Sequence, residues 1–218
     1  GGGWVNRDAR YFYPFADHFA KNGWVGISVE YRLHNKKTGV SVFDCVKDAR
    51  SSIRYIRHHA RELGIDPKKI IVTGGSAGAH LAAATALFDE VNETSDDLSI
   101  STTPDVLVLY YPVIDTSLEG YGNEKIGERW KELSPVHQVR SGMPPTLVLH
   151  GTGDDVTPYA GAKRFEEKML EAGNECQLIP FEGGRHGYFI FDLKLFKEAM
   201  QQTEAFLETH GFYTGIKH

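Results

Sequence analysis

Ser76 lies in Gly74-Gly75-Ser76-Ala77-Gly78, the spacing G-x-S-x-G. An apolar run at 70–73 precedes it, and an alanine-rich stretch at 77–88 follows it. A serine on a tight strand-to-helix turn lifts its hydroxyl above the sheet edge, beside the free N–H groups of a helix N-terminus. Such a hydroxyl can attack an acyl carbon, and those N–H groups can hold the oxyanion that forms. The competing reading is a glycine-rich turn for phosphate. The segment lacks the lysine and spacing of a P-loop and is not G-x-G-x-x-G.

A serine hydroxyl needs a base to take its proton, and the base needs an acid to fix its tautomer. In sheets of this kind the chain order is serine, acid, histidine. After the predicted strand at 146–150 come Asp154 and Asp155. Either can be the acid, and the other then serves the turn or helix cap before Tyr159. Asp115, after the run at 106–111, is a further alternative. His186 follows the last predicted strand in Gly183-Gly184-Arg185-His186-Gly187, where glycines let a loop approach closely. It is the one of ten histidines in the required position. His58 and His59 fall late in a charged helix, His80 lies behind Ser76, and His150 ends a strand. His18, His34, His137, His210 and His218 show no partner pattern.

The elements that must hold these groups read as alternating strands and helices. Short apolar runs at 24–31, 70–73, 106–111, 146–150 and 177–181 predict strands, most without polar alternation, as in strands covered on both faces. Helical stretches are predicted at 13–22, 41–63, 77–88, 159–172 and 195–210, with Gly23, Gly64, Gly173 and Gly211 closing four of them. The alternation implies one parallel sheet wrapped by helices. Residues 115–145 hold no strong strand and are the insertion large enough for a short lid. Tyr121 and Trp130 within them are candidate pocket walls, with core packing as the alternative for each.

The 218 residues, 41% of them hydrophobic, suffice for one core. A net charge of −5 gives no electrostatic reason to bind nucleic acid or an anionic membrane. No apolar run approaches the roughly 18 residues of a membrane span. Cys45 and Cys176 have no C-x-x-C or zinc spacing and read as free thiols, which favours a reducing, cytoplasmic compartment.

Taken together, these segments resemble the small bacterial α/β-hydrolase esterases, a group that includes hormone-sensitive-lipase-like, acetylxylan-esterase-like and BD-FAE-like (feruloyl-esterase-like) carboxylesterases. Gly1-Gly2-Gly3-Trp4 resembles the end of that family's His-Gly-Gly-Gly-Trp loop, and Glu30-Tyr31-Arg32-Leu33 its strand ending in Tyr-Arg. Residues 44–57 resemble its helix ending in Arg-Tyr-Ile-Arg, and 64–70 the loop before the serine. Ser134-Pro135, Pro144-Pro145-Thr146 and His150-Gly151 resemble its approach to the acid.

The resemblance implies an α/β-hydrolase fold, mostly parallel with helices on both faces, as a single domain over 1–218. It implies Asp154 as the acid and His186 as the base. It implies oxyanion donors at the N–H groups of Gly1, Gly2 and Ala77, with Gly3 a further candidate. It departs at the start, where the family's histidine and preceding strands are missing, so a gap is expected between 24–31 and 70–73. The implied activity is a serine carboxylesterase acting on short-chain, acetyl-like esters through an acyl-enzyme, with no cofactor or metal. A peptidase or amidase such as a formamidase, or a truncated non-catalytic module, is the alternative. The expected partner is a small-molecule ester, with no nucleic acid or membrane and self-association left open.

Overall fold

The computed structural model describes residues 1–6, 9–190 and 192–212. Four strands form one sheet in the order β1-β2-β3-β4: Ile71–Gly75, Val106–Tyr110, Thr146–Gly151 and Cys176–Phe181. Every neighbouring pair is parallel. Parallel neighbours need crossovers, and helices α4 (Ala77–Leu87) and α6 (Tyr159–Glu171) lie on two of them. Before the sheet come α1 (Tyr13–Lys21), α2 (Val42–His58) and α3 (Ala60–Leu63). The short α5 (Asn123–Ile126) falls between β2 and β3, and α7 (Leu193–Thr209) ends the fold.

Side-chain alternation along each strand divides the core into two layers. Leu107, Leu109 and Val148 pack with α2, α4 and α6 on one face. Val106, Val108, Tyr110, Leu147 and Leu149 pack with α1 and α7 on the other. Covering both faces explains why these strands read as unbroken apolar runs. Helix α4 is sandwiched between α2 and the sheet, and its alanines allow that close approach.

Helix α2 starts at a capping box. The Ser41 hydroxyl accepts from the Asp44 N–H at 3.3 Å, and the Ser41 N–H donates to the Asp44 carboxylate at 2.8 Å. The sequence predicts one helix over 41–63. The structure breaks it at His59, and α3 then closes at Gly64 in the left-handed region.

The strand predicted at 24–31 is not formed. Among the described residues the segment joins no ladder, and β1 pairs only with β2. Between that segment and the free edge of β1 runs a groove of about 560 Å³, lined among others by Phe15, Ile53, Val72 and Leu81. Val25, Ile27 and Val29, on one alternating face, are 52%, 43% and 39% exposed. β-rich composition gives a preference for extended backbone. A ladder also needs a neighbouring strand to receive its N–H and C=O groups, and no strand among the described residues pairs with this segment.

The insertion at 115–145 is packed down. Leu133, Val136 and Met143 are buried in the layer that contains α4. Cys45 and Cys176 are free and buried.

Candidate active site

The first element of the site is the turn from β1 into α4. Ser76 has φ 57 and ψ −127, a conformation that non-glycine residues rarely adopt. Its surroundings over-determine it. The Ser76 N–H donates to the Tyr110 carbonyl at 3.0 Å. Its carbonyl accepts from Ala79, His80 and Val113 at 3.0, 3.1 and 3.3 Å. A side chain at Gly74 would collide with the backbone of Gly78, which is why the turn needs glycine there. The strained backbone frees the hydroxyl from local caps and aims it at the loop after β4.

That loop carries His186. Its Nε2 lies 2.9 Å from Ser76 Oγ, and its Nδ1 lies 2.8 Å from Asp154 Oδ2. Asp154 comes from the loop after β3. The two loops touch at Gly151 and Gly184, where a Cβ on Gly151 would strike the Gly184 carbonyl. Asp154 Oδ1 accepts from the N–H groups of Val156 and Thr157 at 2.9 and 2.8 Å. Oδ2 also accepts from the Thr157 hydroxyl at 2.9 Å, and His150 Nε2 lies 3.3 Å away. Burial alone would raise the carboxyl's pKa. Hydrogen bonds from His150, His186 and the Thr157 N–H more than reverse this, so Asp154 is held well below the usual carboxylate range.

The glycine segment lies beside the serine turn. A Cβ on Gly1 would sit 3.3 Å from the Gly75 carbonyl oxygen, and one on Gly78 would sit 3.0 Å from the Gly1 nitrogen. The Tyr31 hydroxyl donates to the Gly1 carbonyl at 2.7 Å and accepts from the Gly1 nitrogen at 3.3 Å. The N–H groups of Gly2, Gly3 and Ala77 have no acceptor among the described residues. They are therefore available to an oxyanion.

Trp4 anchors this segment. It is fully buried with φ 62, its carbonyl accepts from the His34 N–H at 2.8 Å, and its ring meets His80 edge-on at 5.0 Å. His80 donates from Nε2 to the Leu133 carbonyl at 2.8 Å, and burial pushes its imidazole down to about 4. Trp4→Ala is expected to destabilise the fold by about 3–5 kcal/mol through the void it leaves. Urea unfolding measures this, and a loss under about 1 kcal/mol would show that the segment is not pinned by the indole.

Residues 1–169 match the family described as BD-FAE. The chain belongs to the BD-FAE family. It is 28% identical to Esterase LipQ of Mycobacterium tuberculosis over 234 aligned positions, covering 99% of this chain and 54% of that protein. Acetylxylan esterase of Xylanibacter ruminicola is 24% identical, over 81% of this chain and 37% of that protein. Among solved structures, apo esterase 2 of Thermogutta terrifontis matches with a TM-score of 0.92 at 39% identity, covering 98% of this chain and 82% of that one. Esterase 2 has also been solved with propionate bound and with butyrate bound. The fold is thus the α/β-hydrolase fold. The chain spans about half the length of the curated relatives it matches.

In this BD-FAE chain the other candidates make contacts of their own. Asp155 is exposed and faces Arg185 at 3.8 Å. Asp115 is buried against Arg164. Tyr121 packs on Trp4 at 5.8 Å, and its hydroxyl, beside Gly3, accepts from Lys125 at 2.9 Å. The Trp130 ring instead meets His137 at 5.2 Å. His218 lies outside the described residues.

Three neighbours of the site belong to no catalytic motif in the sequence. Tyr111, with φ 37, stands edge-on to His186 at 5.0 Å. Thr157 and His150 both touch the Asp154 carboxylate. The four-residue spacing from His150 across the turn to Asp154 is the one sequence signal that could have pointed to such a contact.

Proposed function

We propose that this chain is a carboxylic ester hydrolase that works through Ser76, His186 and Asp154. The observation that carries the reading is His186 standing between the other two, at 2.9 Å from Ser76 Oγ and 2.8 Å from Asp154 Oδ2. Ser76 Oγ attacks the ester carbonyl carbon as His186 Nε2 takes its proton. The carbonyl oxygen becomes an oxyanion beside the N–H groups of Ala77, Gly2 and Gly3. The imidazolium, stabilised by Asp154, gives its proton to the departing alkoxide, leaving an acyl-enzyme. Water, deprotonated by His186, then attacks the acyl carbon. Collapse releases the acid and returns the proton to Ser76. The sequence needs only protein groups and water.

Short acyl groups are the proposed substrates. Support comes from the packed-down segment 115–145 and from the propionate and butyrate held by esterase 2. A panel of p-nitrophenyl esters against the matching p-nitroanilides tests the reading. Acetyl and butyryl esters are expected to outrun octanoyl esters and all anilides in kcat/KM. Faster anilide cleavage would move the assignment to an amidase, and a rate rising with acyl length would remove the short-chain proposal. A small-molecule ester is the proposed partner, in a cytoplasmic setting that the free thiols favour.

A further inference from the structure

The proposed chemistry makes no use of His150, although it is buried against the Asp154 carboxylate. It is the penultimate residue of β3, is 1% exposed, and is covered by Tyr159, whose ring lies edge-on at 5.9 Å. Its Nε2 has acceptors on one side only: the Thr157 carbonyl at 2.7 Å and Asp154 Oδ2 at 3.3 Å. Nε2 therefore carries a proton and donates toward both. Its Nδ1 is buried without a partner among the described residues. The whole polar capacity that this ring uses is spent on the turn that presents Asp154. A buried polar atom left unpaired costs free energy, and the bonds of the other nitrogen offset that cost.

The consequence for Asp154 is geometric. Its two oxygens are not equivalent. Oδ1 is tied to the Val156 and Thr157 N–H groups, and Oδ2 receives Thr157 Oγ, His186 Nδ1 and His150 Nε2. His150 also holds the Thr157 carbonyl, so it braces the residue that supplies two of the donors to Asp154. We propose that His150 is a positioning residue, which fixes the rotamer of Asp154 and the 154–157 turn so that Oδ2 meets His186 Nδ1. It touches neither substrate nor the reacting atoms. The proposal rests on the triad reading above and names a further part of it.

The test compares two polar replacements. The amide nitrogen of glutamine can occupy the place of histidine Nε2, whereas that of asparagine reaches only as far as Nδ1. His150→Gln is therefore expected to retain the donor and His150→Asn to lose it. On p-nitrophenyl acetate, His150→Asn should lower kcat about 10- to 100-fold with KM within about twofold, as for a misplaced catalytic group. His150→Gln should stay within about threefold of the parent in kcat. A second readout needs no turnover: the downfield proton resonance of the His186 Nδ1–H···Asp154 bond. It should be displaced or lost in His150→Asn and kept in His150→Gln.

Equal kcat and an unmoved resonance in His150→Asn would overturn the proposal. So would a glutamine variant as impaired as the asparagine one, or a raised KM with kcat unchanged. Should His150→Asn fail to fold, the glutamine variant alone decides: parental kcat and resonance support the role, and their loss removes it. Failure of the triad reading itself would look different. The parent would then show neither the downfield proton nor labelling of Ser76 by a fluorophosphonate.

Discussion

Ser76→Ala should reduce ester hydrolysis by roughly 10⁵- to 10⁶-fold while leaving the fold in place. The hydroxyl is the proposed nucleophile, so its loss removes the acyl-enzyme route altogether. The residual rate then comes from water near His186 and from whatever oxyanion stabilisation remains. The structure separates this chemical effect from a structural one. The conformation of residue 76 is held by its backbone N–H and carbonyl through bonds to Tyr110, Ala79, His80 and Val113, none of which needs the side chain. Alanine keeps the Cβ and meets the same positive-φ strain as serine. Thermal unfolding of the variant is therefore expected to match the parent within about 1 kcal/mol, the net worth of one hydrogen bond. The measurement is kcat/KM on p-nitrophenyl acetate with unfolding in parallel. Parental activity in a folded Ser76→Ala protein would sink the nucleophile assignment.

The candidate site was legible in the sequence where its geometry is written locally. Ser76 was marked by glycines on either side, by a strand before it and by a helix after it. All three are local requirements of the turn. His186 was marked by its place after the last strand. The partner of His186 was harder. From the residues alone Asp154 and Asp155 stood equal, because adjacent residues on a turn face opposite ways and spacing does not say which faces inward. The structure sends Asp155 out to Arg185 and turns Asp154 toward His186. In the sequence His150 marks only a strand end, and nothing local marks Thr157. Their contacts with Asp154 exist only once the loop after β3 has folded back on itself.

The error at 24–31 has a related cause. Its valines and isoleucine encode a preference for extended backbone, and that preference does not supply a partner strand. Pairing is a property of two segments, so one segment's composition cannot report it. The same holds at Tyr111, whose positive φ no residue type would suggest. That conformation accompanies a turn out of β2 that sets its ring against His186.

Asp154→Asn should lower kcat by about 10⁴-fold, and the cause is the tautomer of His186. Asparagine can keep the Oδ1 contacts, because its amide oxygen still accepts from the Val156 and Thr157 N–H groups. Its NH₂ then replaces Oδ2 and faces His186 Nδ1, Thr157 Oγ and His150 Nε2. The threonine hydroxyl can rotate to accept. His150 Nε2, already donating, cannot. His186 accepts at Nδ1 only by moving its proton to Nε2, and that proton then points at Ser76, where a base needs a lone pair. The fold should survive while general-base catalysis is lost.

Stability toward acid should change as well. Asp154 is held below its ordinary value, so its charged form favours the folded state above the unfolded carboxylate value of about 3.9, and that contribution is lost as pH falls toward the lower folded value. Asparagine cannot titrate. The decline of Tm between about pH 5 and pH 3 should therefore be shallower in Asp154→Asn than in the parent. It should not vanish, because Asp44 is also lowered and remains. Near-parental kcat would remove Asp154 from the triad. An acid decline as steep as the parent's would show that the five donors around its carboxylate contribute nothing to folding.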